Sequence, residues 1–100
     1  MGKIKITVPK EEISQLCEKH HVLRLSFFGS VISDSFSPES DIDVLVEFSP
    51  EHIPGLAFFD IQNELSQLLG RKVDLNTPNF LSPYFRKEVQ KMAEVQYERS

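Results

Sequence analysis

Apolar residues recur along this chain at two spacings, and the switches between them predict its elements. Over residues 8–21, Ile13, Leu16 and Cys17 lie three and four apart. Glu11 and Glu12 come early there and Lys19, His20 and His21 late, as a helix dipole favours, so an amphipathic helix is expected. Over 22–28 the β-forming residues alternate, Leu23, Leu25 and Phe27 against Arg24, Ser26 and Phe28, which predicts a strand ending at Gly29 and followed by a short helix. Residues 33–41, SDSFSPESD, concentrate Ser, Asp and Pro and predict a loop. Alternation returns in 42–48, with Ile42, Val44, Val46 and Phe48 on one face and Asp41, Asp43, Leu45 and Glu47 on the other. The apolar side should pack and the acidic side open toward solvent or ligand.

Pro50, Pro54 and Gly55 mark a connection, after which Phe58, Ile61, Leu65, Leu68 and Leu69 stand at helical spacing over 56–69, with Gly70 as the C-terminal cap. A short strand follows at 72–76, Val73 and Leu75 on one face and Lys72, Asp74 and Asn76 on the other, so Asp74 repeats the polarity of the Asp41/Asp43 strand. Ser82-Pro83 is an N-cap and first-turn pair, and Phe85, Val89 and Met92 trace one face of a last helix running to about residue 95. The tail 96–100 carries no strong signal. This order predicts an α/β (α+β) domain whose sheet is covered on one face and partly bare on the other.

At 100 residues with no compositional break, the chain should form one domain, 1–100. A formal net charge of −4 without a Lys/Arg cluster argues against nucleic acid as the main partner, because a sequence-independent grip needs several cations on one face. The single Cys17 cannot make an intrachain disulfide and reads as a small core residue. No apolar run approaches the roughly 20 residues that span a bilayer, and the N-terminus lacks a signal-peptide core, so a soluble, cytoplasmic protein without a membrane partner is expected.

Residues 28–48, FGSVISDSFSPESDIDVLVEF, carry the candidate chemistry. Gly29 lets the backbone approach an anion, Ser30 offers a hydroxyl, and the N–H groups of a helix start suit nucleotide phosphates, although Gly-Ser after a strand is most often a plain turn. Asp41 and Asp43 should point to one face with Cα atoms roughly 6.5 to 7 Å apart, near enough to share divalent ions. Their repulsion is costly unless a cation offsets it, and hard oxygen ligands suit Mg²⁺ or Mn²⁺. Asp74 on the same predicted face offers a third carboxylate to complete a metal shell or to take a proton from an attacking hydroxyl. His20 and His21 are adjacent at a helix end, where a dipole interaction is a simpler reading than catalysis. The eight Phe residues read mainly as core, with any excess available to a partner-binding patch.

Gly29-Ser30, ten residues, Asp41-x-Asp43 and then Val73-Asp74-Leu75 together resemble the minimal nucleotidyltransferases, the MNT group of the DNA polymerase β-like superfamily. The likeness runs along nearly the whole chain: a helix, a strand ending FFGS, the SDIDVLVEF strand, a helix ending LLGRKVDL and a terminal amphipathic helix. It implies the polymerase β-like nucleotidyltransferase fold, a small mixed β-sheet with helices packed on one face. It also implies a nucleoside triphosphate, with ATP as substrate, at Gly29 and Ser30, and two Mg²⁺ ions on Asp41, Asp43 and Asp74, with Mn²⁺ as the substitute. Members this short are similar to the antitoxin half of toxin–antitoxin pairs whose partner is a HEPN-domain ribonuclease. In that family the antitoxin can transfer AMP from ATP to a partner tyrosine, and it can also bind the toxin directly.

This chain departs from many relatives in one place. Ser33 and Asp34 stand where an Arg and a Gly commonly follow the Gly-Ser, which removes a cation suited to nucleotide phosphates. Arg24, Arg71 and Lys72 are the candidates to replace it. The expected function is therefore Mg²⁺-dependent nucleotidyl transfer to a hydroxyl of a cognate HEPN-type partner. The alternative is a non-catalytic binding module that neutralises the partner by occlusion, and a third reading, transfer to a small molecule or an RNA end, is disfavoured by the lack of basic surface.

Overall fold

The computed structural model describes residues 8–32, 40–49, 55–78 and 81–99, with backbone alone for Ser30 and Ile32. Helix α1 (Lys10–Lys19) leads into strand β1 (Val22–Phe28), which ends in a 3-10 turn, Gly29–Ile32. Strand β2 (Ile42–Phe48), helix α2 (Ala57–Leu69) and strand β3 (Val73–Asn76) follow, then helix α3 (Pro83–Met92) and strand β4 (Glu94–Glu98). The strands form one mixed sheet in the order β3-β2-β1-β4, antiparallel except for the parallel pair β2 and β3 that α2 connects.

Each predicted element forms, close to its expected bounds, for the local reasons the sequence offers. Gly70 caps α2 at φ 67°, the left-handed region where a side chain is penalised. The Ser82 hydroxyl accepts from Phe85 N–H at 3.3 Å, and Pro83 opens α3 where no N–H is needed. The short helix expected after Gly29 is a four-residue 3-10 turn, too short to carry a macrodipole of any size.

The alternation in β2 sorts its residues as expected. Ile42, Val44 and Val46 are fully buried beneath α1 and α2, with Ile13, Leu16, Cys17, Ile61 and Leu65 from the helices and Leu25, Phe27, Val73 and Leu75 from the flanking strands. Burying each such Leu, Ile or Phe contributes about 1.5–3 kcal/mol. The other face is bare only in part: Val89 of α3 packs on Phe28 and Leu45, with Leu81 and Ala93 at the margin.

Two expectations are corrected. In β1 a bulge between Val22 and Arg24 makes Leu23 the extra residue, so Val22 joins Leu25 and Phe27 in the core. The last helix stops at Met92 instead of running to about 95, because Ala93 turns extended (ψ 143°) and residues 94–98 pair with β1. Residues 96–98 of the tail without a strong signal thus belong to an edge strand. Its alternation of Val95 and Tyr97 with Glu94, Gln96 and Glu98 is too brief to read without the neighbouring strand in view.

The edge strand β3 is held on both sides. Toward β2, Ile42 N–H donates to Lys72 O at 2.9 Å. Away from β2, Val73 N–H donates to Ser66 Oγ and Leu75 N–H to Gln62 Oε1, each at 3.1 Å. No helix among the described residues is long and apolar enough to cross a membrane.

Candidate active site

One row of the sheet brings Asp43 and Asp74 together, with Gly29 at its end and Asp41 just ahead of it. Phe28 at the end of β1 is the pairing partner of Asp43 on β2, and Asp43 is the partner of Asp74 on β3. Paired residues on neighbouring strands share a face with backbones about 4.8 Å apart, so Asp43 and Asp74 stand side by side on the face opposite α1 and α2. Asp41 lies just before β2, exposed, two residues from Asp43. Arg71 Nη1 donates to Ser40 O at 3.2 Å and fixes the approach to Asp41.

Gly29 is required here twice over. Its φ is +76°, a conformation other residues adopt only under strain, and a Cβ built on it would overlap Asp43 Oδ2. The turn therefore runs directly against the Asp43 carboxylate, and glycine is what permits that approach. Ser30 follows in the backbone of the same turn. Ser33 and Asp34, the positions of the unusual sequence, lie outside the described residues.

The electrostatics match the geometry. Burial first, then the charges of Asp74 and Asp41, push Asp43 above the ordinary aspartate value. The side chains do not close on one point: among the described residues no three His, Cys, Asp or Glu groups form a ready-made cation cage. A half-buried Asp43 beside the exposed carboxylates of Asp41 and Asp74 is an all-oxygen donor set, which fits Mg²⁺ or Mn²⁺ better than a softer metal, with further ligands coming from substrate phosphates and water.

Of the cations considered as substitutes, Arg24 is engaged elsewhere. It pairs with Glu47 at 3.4 Å and Glu98 at 3.6 Å, roughly 16 Å along β1 from Gly29 at 3.3 Å per residue. Lys72 is exposed beside the β2–β3 junction. His20 clamps helices instead of serving chemistry, its Nε2 lying 3.1 Å from Glu64 Oε2 while Lys19 Nζ meets Glu64 Oε1 at 2.9 Å. Two clefts lie away from the aspartates, one of about 420 Å³ between α1 and α2 and one of about 280 Å³ beside Tyr97. Neither is lined by a residue of the carboxylate row.

Residues 11–100 match the Polymerase beta, Nucleotidyltransferase family. The chain belongs to that family. It is a nucleotidyltransferase, and its sheet and helices are those of the polymerase β-like fold. It is 40% identical over 78 residues to a Methanocaldococcus jannaschii protein provisionally named a protein adenylyltransferase, covering 75% of this chain and 76% of that protein. Over 85 residues it is 34% identical to the protein adenylyltransferase MntA of Thermococcus cleftensis, covering 84% of this chain and 81% of that one. A solved structure provisionally described as a minimal nucleotidyltransferase superposes with a TM-score of 0.72 at 32% identity, over 84% of this chain and 85% of the other. The fold also recurs, at 20% identity and a TM-score of 0.63, in a complex of a tri-AMPylated Shewanella oneidensis HEPN toxin with an MNT antitoxin, over 90% of this chain and 70% of that one.

Proposed function

We propose that this nucleotidyltransferase transfers AMP from ATP to a hydroxyl, a tyrosine hydroxyl in the leading form, of a cognate HEPN-type protein and thereby acts as its antitoxin. The observation that carries the reading is the row in which Gly29 abuts Asp43 and Asp43 pairs with Asp74. The names of the relatives, and the AMPylated toxin held in one structural neighbour, supply the acceptor class. A neighbour with AMP-PNP, at 19% identity and a TM-score of 0.72, is in keeping with a nucleotide substrate on this fold.

In this reading the turn at Gly29 and Ser30 takes the triphosphate, and the acceptor oxygen approaches from the Asp74 side. The acceptor oxygen bonds to the α-phosphorus, the bond to the β-phosphate breaks, and pyrophosphate leaves. In this reading Asp74 receives the hydroxyl proton, and Asp41 and Asp43, themselves anionic, act on the phosphate through the cation they would hold. Mg²⁺ bound by Asp41, Asp43 and Asp74 would supply neutralisation of the negative charge on the phosphate oxygens. The experiment is to incubate the protein with its HEPN partner, ATP and Mg²⁺ and weigh the partner. An AMP-sized mass gain that disappears in Asp41→Ala with Asp43→Ala supports the proposal; no gain, or one that survives both substitutions, overturns it.

The exposed apolar side chains of α3 and β4 favour a second reading, neutralisation by contact. Tyr84, Phe85, Met92 and Val95 are all at least 47% exposed and so are available to a partner. If the double aspartate variant protects cells from the partner as well as the unaltered protein does, contact alone suffices.

A further inference from the structure

We infer that Gln62 and Ser66 of α2 are positioning residues for Asp74, an inference that rests on the proposed nucleotidyl transfer at the carboxylate row. Asp74 is the one site carboxylate carried by an edge strand, and β3 is only four residues long with a ladder on one side. Such a strand frays readily unless its outer backbone groups are engaged. The two N–H groups that flank Asp74 and face away from β2 are those of Val73 and Leu75. Ser66 Oγ accepts the first and Gln62 Oε1 the second.

The clamp is itself braced. Ser66 Oγ donates to Gln62 O at 3.0 Å, which aims the hydroxyl lone pairs at β3. Ser66 O accepts Arg71 N–H at 3.2 Å, fixing the turn between α2 and β3. Ile61 and Leu65, their neighbours on α2, are fully buried, so the helix offering these acceptors is anchored in the core. Val73 and Leu75 point to that core, and alternation sends Asp74 to the opposite face, toward Asp43. The clamp thus sets the height and tilt of Asp74 relative to Asp43 while touching neither nucleotide nor acceptor.

A carboxylate misplaced by about 1 Å can cost on the order of 100-fold in rate. Gln62→Met and Ser66→Ala remove the acceptors and should lower kcat for AMP transfer by roughly 10- to 100-fold while KM for ATP stays within about 3-fold, because Gly29 and Asp43 are untouched. Gln62→Glu and Ser66→Thr keep an acceptor and should recover most of the rate, and Gln67→Met on the exposed side of α2 should change nothing. In an Asp74→Asn background the clamp variants should cause no further loss, the non-additivity expected of residues acting through one another. Rates within 2-fold of the unaltered protein, losses that the conservative variants fail to rescue, or full additivity with Asp74→Asn would overturn the inference.

A readout without catalysis separates failure of the clamp from failure of the functional proposal. Amide exchange at Val73 and Leu75 in the metal-free protein should accelerate at least 10-fold in the clamp variants with the core unchanged. Added Mn²⁺ should broaden the Asp43 and Asp74 amide signals together in the unaltered protein and lose its effect on Asp74 in the variants. If the unaltered protein transfers no AMP, the functional proposal fails and amide exchange alone decides the clamp; unchanged exchange at Val73 and Leu75 overturns it.

Discussion

Replacing Gly29 by alanine tests the closest contact of the site. The new Cβ would overlap Asp43 Oδ2 and come within 3.1 Å of its Cγ and 3.3 Å of its Cβ, at a residue whose φ is +76°. The left-handed conformation costs a non-glycine residue about 1–2 kcal/mol. The overlap is relieved most cheaply by turning the Asp43 carboxylate aside, since the backbone of both strands is fixed by their ladder. Stability should therefore fall by about 1–2 kcal/mol, each kcal/mol lowering Tm by about 4–8 °C in a domain of this size. Activity should fall further, on the order of 100-fold, because Asp43 leaves its position beside Asp74. Thermal unfolding and the rate of AMP transfer, measured on one preparation, separate the two effects. In an Asp43→Ala background the overlap with Oδ2 and Cγ is gone, so Gly29→Ala should retain the conformational cost alone. Near-unaltered activity in Gly29→Ala, within about 3-fold, would refute the placement of Asp43 at the reacting centre.

Three further outcomes follow from the electrostatics and the core. Asp43→Asn should stabilise the protein at neutral pH with metal chelated: a folded-state pKa raised by burial, Asp74 and Asp41 gives stability that is present below the ordinary value and lost as pH rises through the raised one. Denaturant titrations at several pH values check it, and a variant less stable at neutral pH contradicts it. Glu64→Gln should weaken the α1–α2 clamp by no more than about 1 kcal/mol. Because the Lys19 and His20 contacts lower the Glu64 pKa, that loss should be seen above the ordinary glutamate value and vanish as pH falls through the lowered one, as Tm against pH would reveal. The Cys17 thiol, pushed up to about 12 by burial and then by Glu18, should resist a thiol reagent at pH 8 in the native protein and react at once in denaturant. Labelling at equal rates in both states would contradict its place in the core.

Much of this architecture could be read from alternation. In β2 and β3 the apolar parity alone placed Asp43 and Asp74 on one face, and the pairing register then set them side by side. Gly29 was legible as a turn glycine at the end of a strand, but its tight approach to Asp43 depends on two strands meeting and leaves no trace in local spacing. The bulge at Leu23 and the strand at 94–98 were hidden for a related reason. A bulge is defined by its partner strand, and the β4 pattern competes with a helix stripe that runs through Val89 and Met92. Gln62 and Ser66 stand off the apolar positions of α2, and only the adjacent strand gives them a role. Arg24 offered itself as a phosphate ligand by charge, yet Glu47 and Glu98 hold it at the far end of the sheet.

The central claim is that the carboxylate row performs nucleotidyl transfer onto a partner protein. Intact-mass measurement of the HEPN partner after incubation with this protein, ATP and Mg²⁺ tests it most directly. The account predicts an AMP-sized gain on a tyrosine, abolished by Asp41→Ala with Asp43→Ala and by chelation of the metal. A partner that stays unmodified, or one modified equally by the double variant, would contradict it.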